Sequence, residues 1–207
     1  MADQDRAQIY LATPRHPELS TLPGQLAGLL DRFEIACIRV IPDSADEDRI
    51  CRLTDAVREV AHARDVAVVL DEHFRLVDRL GIDGVHLVDA ARQVRDVRKL
   101  LGPDAVVGSY CGASRHAGMT AAEIGADYVA LGPVTASAAL GDGKTADPDL
   151  FQWWSEMIET PVVAEGGLGL DAVRSVAPFA DFLCLQDEVW SADNPADALA
   201  AIIDALG

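Results

Sequence analysis

The sequence is short of basic residues. Its 207 residues include 17 Lys and Arg against 34 Asp and Glu, which gives a formal net charge of −17. A surface this acidic repels nucleic acid and anionic membranes, so we expect neither as a partner. A phosphorylated substrate would need a pocket that is locally positive or loaded with a metal ion.

Patterned cysteine is also missing, because the four cysteines at positions 37, 51, 111 and 184 form no CxxC pair and no zinc-ligand spacing. Cys37 and Cys184 lie inside apolar runs, where a reduced cysteine behaves as a small hydrophobic residue. We expect them to pack rather than to bind metal. The sequence has no apolar run long enough to span a bilayer and no N-terminal signal pattern. We therefore expect a soluble, cytoplasmic protein.

The residues that are abundant form a repeating pattern. Half of the chain is apolar, which is enough for a sizeable core. Short, continuous apolar runs alternate with amphipathic helical patterns, without a linker or low-complexity segment between them. Continuous apolar strands are typical of parallel sheets that are covered on both faces. The pattern predicts eight strands, at 9–13, 36–41, 66–70, 84–87, 105–110, within 125–134, at 161–164 and at 182–185.

Eight strand–helix units favour a single-domain (β/α)₈ TIM barrel spanning residues 1–207. An open, doubly wound sheet is the alternative. Its usual glycine-rich fingerprint after the first strand is absent, since the segment 13–17 reads Thr-Pro-Arg-His-Pro.

Three stretches of the chain share one order of residues. In Gly81–Leu87, Gly125–Val134 and, more loosely, Ala180–Leu185, a helix ends, an aspartate turns the chain and an apolar strand follows. The recurrence indicates a repeated βα architecture whose functional groups follow the strands.

The carboxyl ends of the strands hold the chemistry in such barrels. Gly166 and Gly167 end strand seven and enter a helix, which lets backbone amides approach a phosphate; the alternative is simply a tight turn. Arg39 lies among apolar residues of strand two, where an unpaired charge is costly to bury. Arg39 therefore binds an anionic ligand or pairs with an acidic neighbour such as Asp71.

Acidic side chains after strands three and four suggest a magnesium site, because Mg²⁺ prefers carboxylate oxygens. Asp71 and Glu72 are adjacent, so only one of them can face the mouth while the strand continues, and Glu72 is our preferred ligand. Asp89 is the second candidate ligand, with a helix N-cap as its alternative role. His86 lies in an apolar strand and is expected to be a hydrogen-bonded core residue.

Four motifs together resemble the thiamine phosphate synthase family and its thiazole tautomerase branch. They match in order and spacing from strand three to the C-terminus and read Gly-Ile-Asp-Gly-Val-His-Leu (81–87), Leu-Gly-Pro-Asp (101–104), Gly-Ala-Asp-Tyr-Val-x-x-Gly-Pro-Val (125–134) and Pro-Val-Val-Ala-x-Gly-Gly (161–167). The resemblance implies a (β/α)₈ barrel that joins hydroxymethylpyrimidine diphosphate to a thiazole phosphate and releases pyrophosphate with Mg²⁺ bound. It also implies small phosphorylated substrates as partners, and a homo-oligomer is an open possibility.

The resemblance also assigns roles to residues at the matching positions. Arg39 and Lys144 would stabilise the pyrophosphate, and Glu72 and Asp89 would hold Mg²⁺. The positions expected to contact the substrates are Gly166, Gly167, Tyr110, Ser137, Asp71 and Gln186. The positions after strand eight carry Asp187 and Glu188, two extra carboxylates where the thiazole phosphate is expected.

A second hypothesis is a relative that has lost the transfer reaction. It would be either an isomerase of the thiazole tautomerase type, with His116 as the proton carrier, or a barrel that binds a small molecule without catalysis. Trp153 and Trp154 fall on an outer helix, where we expect packing or subunit contact.

Overall fold

Eight parallel strands close into a barrel with helices on the outside. The computed structural model describes residues 7–136, 140–141 and 143–206. The strands pair in chain order, and the eighth pairs with the first. They are β1 (Gln8–Ala12), β2 (Cys37–Val40), β3 (Ala67–Asp71), β4 (Gly84–Leu87), β5 (Val106–Tyr110), β6 (Tyr128–Leu131), β7 (Val162–Glu165) and β8 (Phe182–Leu185). The predicted (β/α)₈ barrel is confirmed.

The helices follow the strands in alternation and cover the outer face of the barrel. Their bounds are α1 (Leu22–Leu30), α2 (Glu47–His62), α3 (Val77–Leu80), α4 (Val94–Leu101), α5 (Arg115–Glu123), α6 (Pro148–Met157), α7 (Leu170–Val176), α8 (Asp187–Trp190) and α9 (Pro195–Ala205). No helix in the described part of the chain is long and apolar enough to cross a membrane.

The apolar residues form two cores, as the alternation of side chains along each strand requires. The larger core lies between the helices and the outer face of the barrel. The smaller one fills the barrel interior and includes Tyr10, Val69, Tyr128 and Val163. Side chains therefore fill the barrel from its centre to its outer layer, and open space for a ligand remains at the ends of the strands.

The aspartates of the three similar stretches stabilise three of the junctions between strands. Asp83, Asp127 and Asp181 each accept a hydrogen bond from the backbone of the preceding strand, from the amides of Val68, Val107 and Val162, all at 2.7 Å. The backbone amide of each aspartate returns a bond to the carbonyl of the same valine. These contacts lie at the amino end of the barrel, the face associated with stability rather than chemistry.

A polar network crosses the barrel interior. The hydroxyls of Tyr10 and Tyr128 share a hydrogen bond at 2.7 Å, and His86 Nδ1 shares one with Tyr128 at 2.8 Å. Burial lowers the pKa of His86, and the nearby Arg39 lowers it further, so the ring is neutral. This geometry agrees with the expected core histidine. Gly108 is required beside the network, because a Cβ there would lie 1.9 Å from the Tyr128 ring.

Candidate functional site at the barrel mouth

A cavity of about 670 Å³ opens at the carboxyl ends of the strands. Its volume is typical of a site for small molecules. Four of the positions predicted to contact the substrates line it, namely Gly166, Gly167, Asp71 and Gln186. The other charged or titratable side chains of the lining include Arg15, His16, Arg39, Glu165, Asp187 and Glu188. Four carboxylates thus face two arginines, so the mouth is acidic like the chain as a whole.

Arg39 is the central cation of the mouth, and only 3% of its surface is exposed. Its Nε donates to Asp71 Oδ1 at 2.5 Å and its Nη2 to Asp71 Oδ2 at 3.0 Å. Its Nη1 donates to Glu165 Oε1 at 2.8 Å. Of the two roles considered for Arg39, the structure therefore shows the pairing with acidic neighbours. The forked geometry of guanidinium and carboxylate is the strong form of such a contact.

Arg39, Asp71 and Glu165 form a triad in which each charge acts on the others. Burial alone would lower the pKa of Arg39, but Asp71 and Glu165 raise it well above its ordinary value. Burial raises the pKa of Glu165, Arg39 opposes the rise, and the charges of Asp71 and Glu188 add to it. Glu165 Oε2 is buried and has no hydrogen-bond partner among the described residues. One carboxylate oxygen in the mouth is thus left without a hydrogen-bond donor by the described part of the chain.

Replacing Glu165 with glutamine should remove a pH-dependent loss of stability. The raised pKa means that folded Glu165 keeps its proton to a higher pH than unfolded Glu165 does. This contribution to stability is complete below the ordinary pKa of 4.5 and is lost as the pH rises through the raised value. The free energy of unfolding of Glu165→Gln, relative to the unchanged protein, should therefore increase from pH 4 towards neutrality.

Denaturant titrations at a series of pH values measure this difference. The exposed Glu159 provides the control, and Glu159→Gln should follow the unchanged protein across the same range. A constant difference between Glu165→Gln and the unchanged protein would contradict the assignment.

The acidic candidates for metal binding do not converge. Asp71, rather than Glu72, points into the mouth, because the inward alternation of β3 runs through Val69 to Asp71. Glu72 follows the strand with φ of 56°, is exposed and lies outside the cavity lining. The structure therefore places Asp71, and not the preferred candidate Glu72, at the mouth, and the role of Glu72 as a metal ligand stays a prediction.

Asp89 precedes a 3₁₀ turn but makes no side-chain cap. Its Oδ2 accepts from Gln93 Nε2 at 2.9 Å, and its Oδ1 is buried without a partner among the described residues. Within residues 7–136, 140–141 and 143–206, no cluster of three or more His, Cys, Asp or Glu side chains is arranged to hold a metal ion. The side chains of Asp71, Glu72 and Asp89 do not fit a preformed Mg²⁺ site.

Several other predicted site residues lie away from the cavity lining. Tyr110 is buried in the barrel interior and donates to the carbonyl of Gly132 at 2.7 Å. Lys144 is exposed in the loop between β6 and α6. His116 is exposed in the first turn of α5, which leaves the isomerase hypothesis without its expected proton carrier at the mouth. Ser137 lies outside the described residues.

Two groups that the sequence analysis did not assign complete the mouth. Arg15, in the loop after β1, makes an ion pair with Asp187, with Nε and Oδ2 2.8 Å apart. The carboxylate of Glu188 accepts from the backbone amide of Leu168 at 2.8 Å and from that of Gln186 at 3.0 Å. The sequence shows a cation in the loop after β1 and an acidic residue after β8, but it does not show which groups these side chains contact.

The cavity lies at the carboxyl ends of the strands and contains several charged side chains, and this is the end of a (β/α)₈ barrel at which enzymes of this fold place their active sites. The family model for thiamine monophosphate synthase matches residues 9–185. The chain therefore belongs to the thiamine monophosphate synthase family, as its motifs suggested.

Relatives along the full chain agree with this assignment. The chain is 38% identical over 198 residues to the thiamine-phosphate synthase of Rhodospirillum centenum, with 95% of each chain covered. It is 35% identical over 194 residues to that of Erythrobacter litoralis, with 91% of each covered. The fold matches the thiamine phosphate pyrophosphorylase of Pyrococcus furiosus with a TM-score of 0.81 at 20% identity, over 99% of both chains.

Proposed function

We propose that this protein is a transferase of the thiamine-phosphate synthase type. It joins hydroxymethylpyrimidine diphosphate to a thiazole acceptor and releases pyrophosphate, as a step of thiamine biosynthesis. The observation that carries the proposal is the match to thiamine-phosphate synthases along nearly the whole chain. The mouth cavity supports it, since about 670 Å³ is room for two small heterocycles.

The reaction needs positioning and charge stabilisation more than a strong base. The bond between the pyrimidine methylene carbon and the diphosphate oxygen breaks, and its electron pair leaves with pyrophosphate. The thiazole nitrogen then gives its lone pair to the methylene carbon, which yields a thiazolium cation. The protein must hold the two rings close together, exclude water from the cationic intermediate and stabilise the leaving group.

Arg15 is our candidate for contact with the leaving group. It lines the mouth, and its ion pair with Asp187 is about half exposed on both sides. Exposed pairs of this kind contribute only about 0–1 kcal/mol, so a diphosphate can displace Asp187 at little cost. Lys144, exposed in the loop after β6, is proposed as a second cation. Arg39 holds Asp71 and Glu165 in place and is not available in the same way.

Replacing Arg15 with glutamine should lower kcat/KM for the pyrimidine diphosphate about tenfold or more, since a charge-assisted contact to phosphate is lost. Steady-state release of pyrophosphate measures this loss. Arg32→Gln is the matched control, because Arg32 lines a separate cavity at the amino end of the barrel. Equal activities of both variants would exclude Arg15 from the reaction.

The function itself is tested by incubating the purified protein with hydroxymethylpyrimidine diphosphate and the thiazole, supplied both as the free alcohol and as its phosphate ester. Formation of pyrophosphate and a thiazolium product is the expected result. If neither acceptor reacts, while the Rhodospirillum centenum relative forms product under the same conditions, the proposal is wrong.

A further inference from the structure

Glu188 bridges the loops that follow β7 and β8. Its Oε1 accepts from the amide of Leu168, directly after Gly166 and Gly167, at 2.8 Å. Its Oε2 accepts from the amide of Gln186, the first residue after β8, at 3.0 Å. One carboxylate therefore ties together two backbone amides from neighbouring strand ends. We call these two amides the anion cradle.

In many barrels of this fold, the loops after strands seven and eight bind the phosphate group of the substrate. Their backbone amides supply the hydrogen bonds, because glycines allow the backbone to approach the anion closely. Both amides of the cradle are bonded here to an anion that belongs to the chain. A phosphate group at this position would have to displace Glu188 or lie beside its negative charge.

From these contacts we infer that Glu188 is a built-in substitute for a substrate phosphate, and that the mouth takes an acceptor carrying a neutral hydroxyl in place of a phosphate ester. This inference rests on the proposed transfer reaction and narrows its acceptor. It makes Glu188 a specificity-determining residue: the carboxylate fills the cradle and at the same time repels the phosphorylated form of the acceptor.

The charges of the mouth favour the same acceptor. Arg15 pairs with Asp187, and Arg39 pairs with Asp71 and Glu165, so both arginines that line the cavity are paired with carboxylates. A phosphate dianion at the cradle would meet the charge of Glu188, and Arg39 is held in its buried pairs, so only the exposed Arg15 could turn to it by leaving Asp187. A free alcohol carries no charge, and the thiazolium product is a cation that an acidic mouth stabilises.

The mouth also has hydrogen-bonding capacity for a neutral ligand. A carboxylate offers about four lone-pair sites, and each Glu188 oxygen uses one of them on a backbone amide, which leaves sites for a donated hydroxyl. Independently, Glu165 is nine-tenths buried, lines the same cavity and leaves Oε2 without a partner among the described residues. A buried polar atom without a partner in the described part of the chain needs an explanation, and a hydrogen-bond donor on the ligand supplies one.

Inorganic phosphate tests whether the cradle is occupied. We expect the unchanged protein to bind phosphate at least tenfold more weakly than Glu188→Ala and Glu188→Gln, as measured by NMR titration of the Leu168 and Gln186 amide signals. Asp187→Asn is the control for charge, since it removes a neighbouring charge and releases Arg15 but leaves the carboxylate of Glu188 in the cradle. Equal phosphate affinity of the unchanged protein and both Glu188 variants would overturn the inference, and so would an Asp187→Asn effect as large as theirs.

Acceptor kinetics test the specificity. With the pyrimidine diphosphate fixed, the unchanged protein should show a kcat/KM at least tenfold higher for the thiazole alcohol than for its phosphate ester. Glu188→Ala should shift this ratio at least tenfold towards the ester. A preference of the unchanged protein for the ester would overturn the inference. If neither acceptor reacts, the transfer function fails, and the phosphate titration still decides the role of Glu188.

Discussion

Replacing Arg39 with methionine should destabilise the protein by about 3–5 kcal/mol, because the substitution leaves two carboxylates buried side by side without their cation. Asp71 and Glu165 are each 8% exposed. An ionised carboxylate accepts hydrogen bonds but donates none, so neither side chain can bond the other in place of Arg39. Arg39 opposes the effect of burial on the pKa of Glu165. Its loss raises that pKa further, so the deficit in unfolding free energy should shrink as the pH falls towards about 4, the ordinary range of carboxyl groups.

Two further variants separate the charge of Arg39 from its shape. Arg39→Lys keeps the charge but not the planar fork that contacts both carboxylates, so its loss should be intermediate. The triple substitution Arg39→Met, Asp71→Leu and Glu165→Leu removes all three charges and should recover much of the stability lost in Arg39→Met. A loss below about 1 kcal/mol for Arg39→Met, or a pH-independent loss, would show that the triad is not the coupled unit described above.

The sequence was sufficient to predict the fold, because the information about strands is local. Continuous apolar runs mark β1 to β8, and the aspartates before β4, β6 and β8 mark their starts. Asp83, Asp127 and Asp181 bind the backbone of the preceding strand, which is a structural role that recurs with the repeat. The strongest family motif, residues 125–134, therefore reports the architecture of the barrel more than its chemistry.

The site was predicted only in part, because its pairings join residues that are far apart in sequence. Arg39 was recognised as a costly cation, and Asp71 was named as a possible partner. Alternation along the strands could have grouped Asp71 and Glu165 with Arg39. Each of the three lies two residues after a residue that faces the barrel interior: Arg39 follows Cys37, Asp71 follows Val69 and Glu165 follows Val163. Glu188 was noted at the expected phosphate position, but its contact with Leu168 had no signal in the sequence, since it depends on how two loops meet in space.

Two adjacent tryptophans provide a further test of the packing, because they were indistinguishable in the sequence. Trp154 is 1% exposed, and its Nε1 donates to the carbonyl of Thr160 at 2.8 Å. Helix α5 approaches its ring so closely that a Cβ at Gly118 would lie 2.6 Å away. Trp153 is only half-buried, and its ring lies 4.6 Å from the guanidinium carbon of Arg115. Trp154 is thus a core residue, and Trp153 is partly exposed at the surface of the protein.

Trp154→Ala should cost about 3–5 kcal/mol, because it removes a large buried side chain and leaves a cavity against α5. For a chain of this length the melting temperature should fall by roughly 10 °C. Trp153→Ala should cost about 1 kcal/mol or less, the size of an exposed cation–π contact. Calorimetry of the two variants side by side decides the matter. Similar losses at both positions would contradict this distinction. They would mean that the face of α6 that carries Trp153 is also covered, as it would be in the subunit contact considered from the sequence.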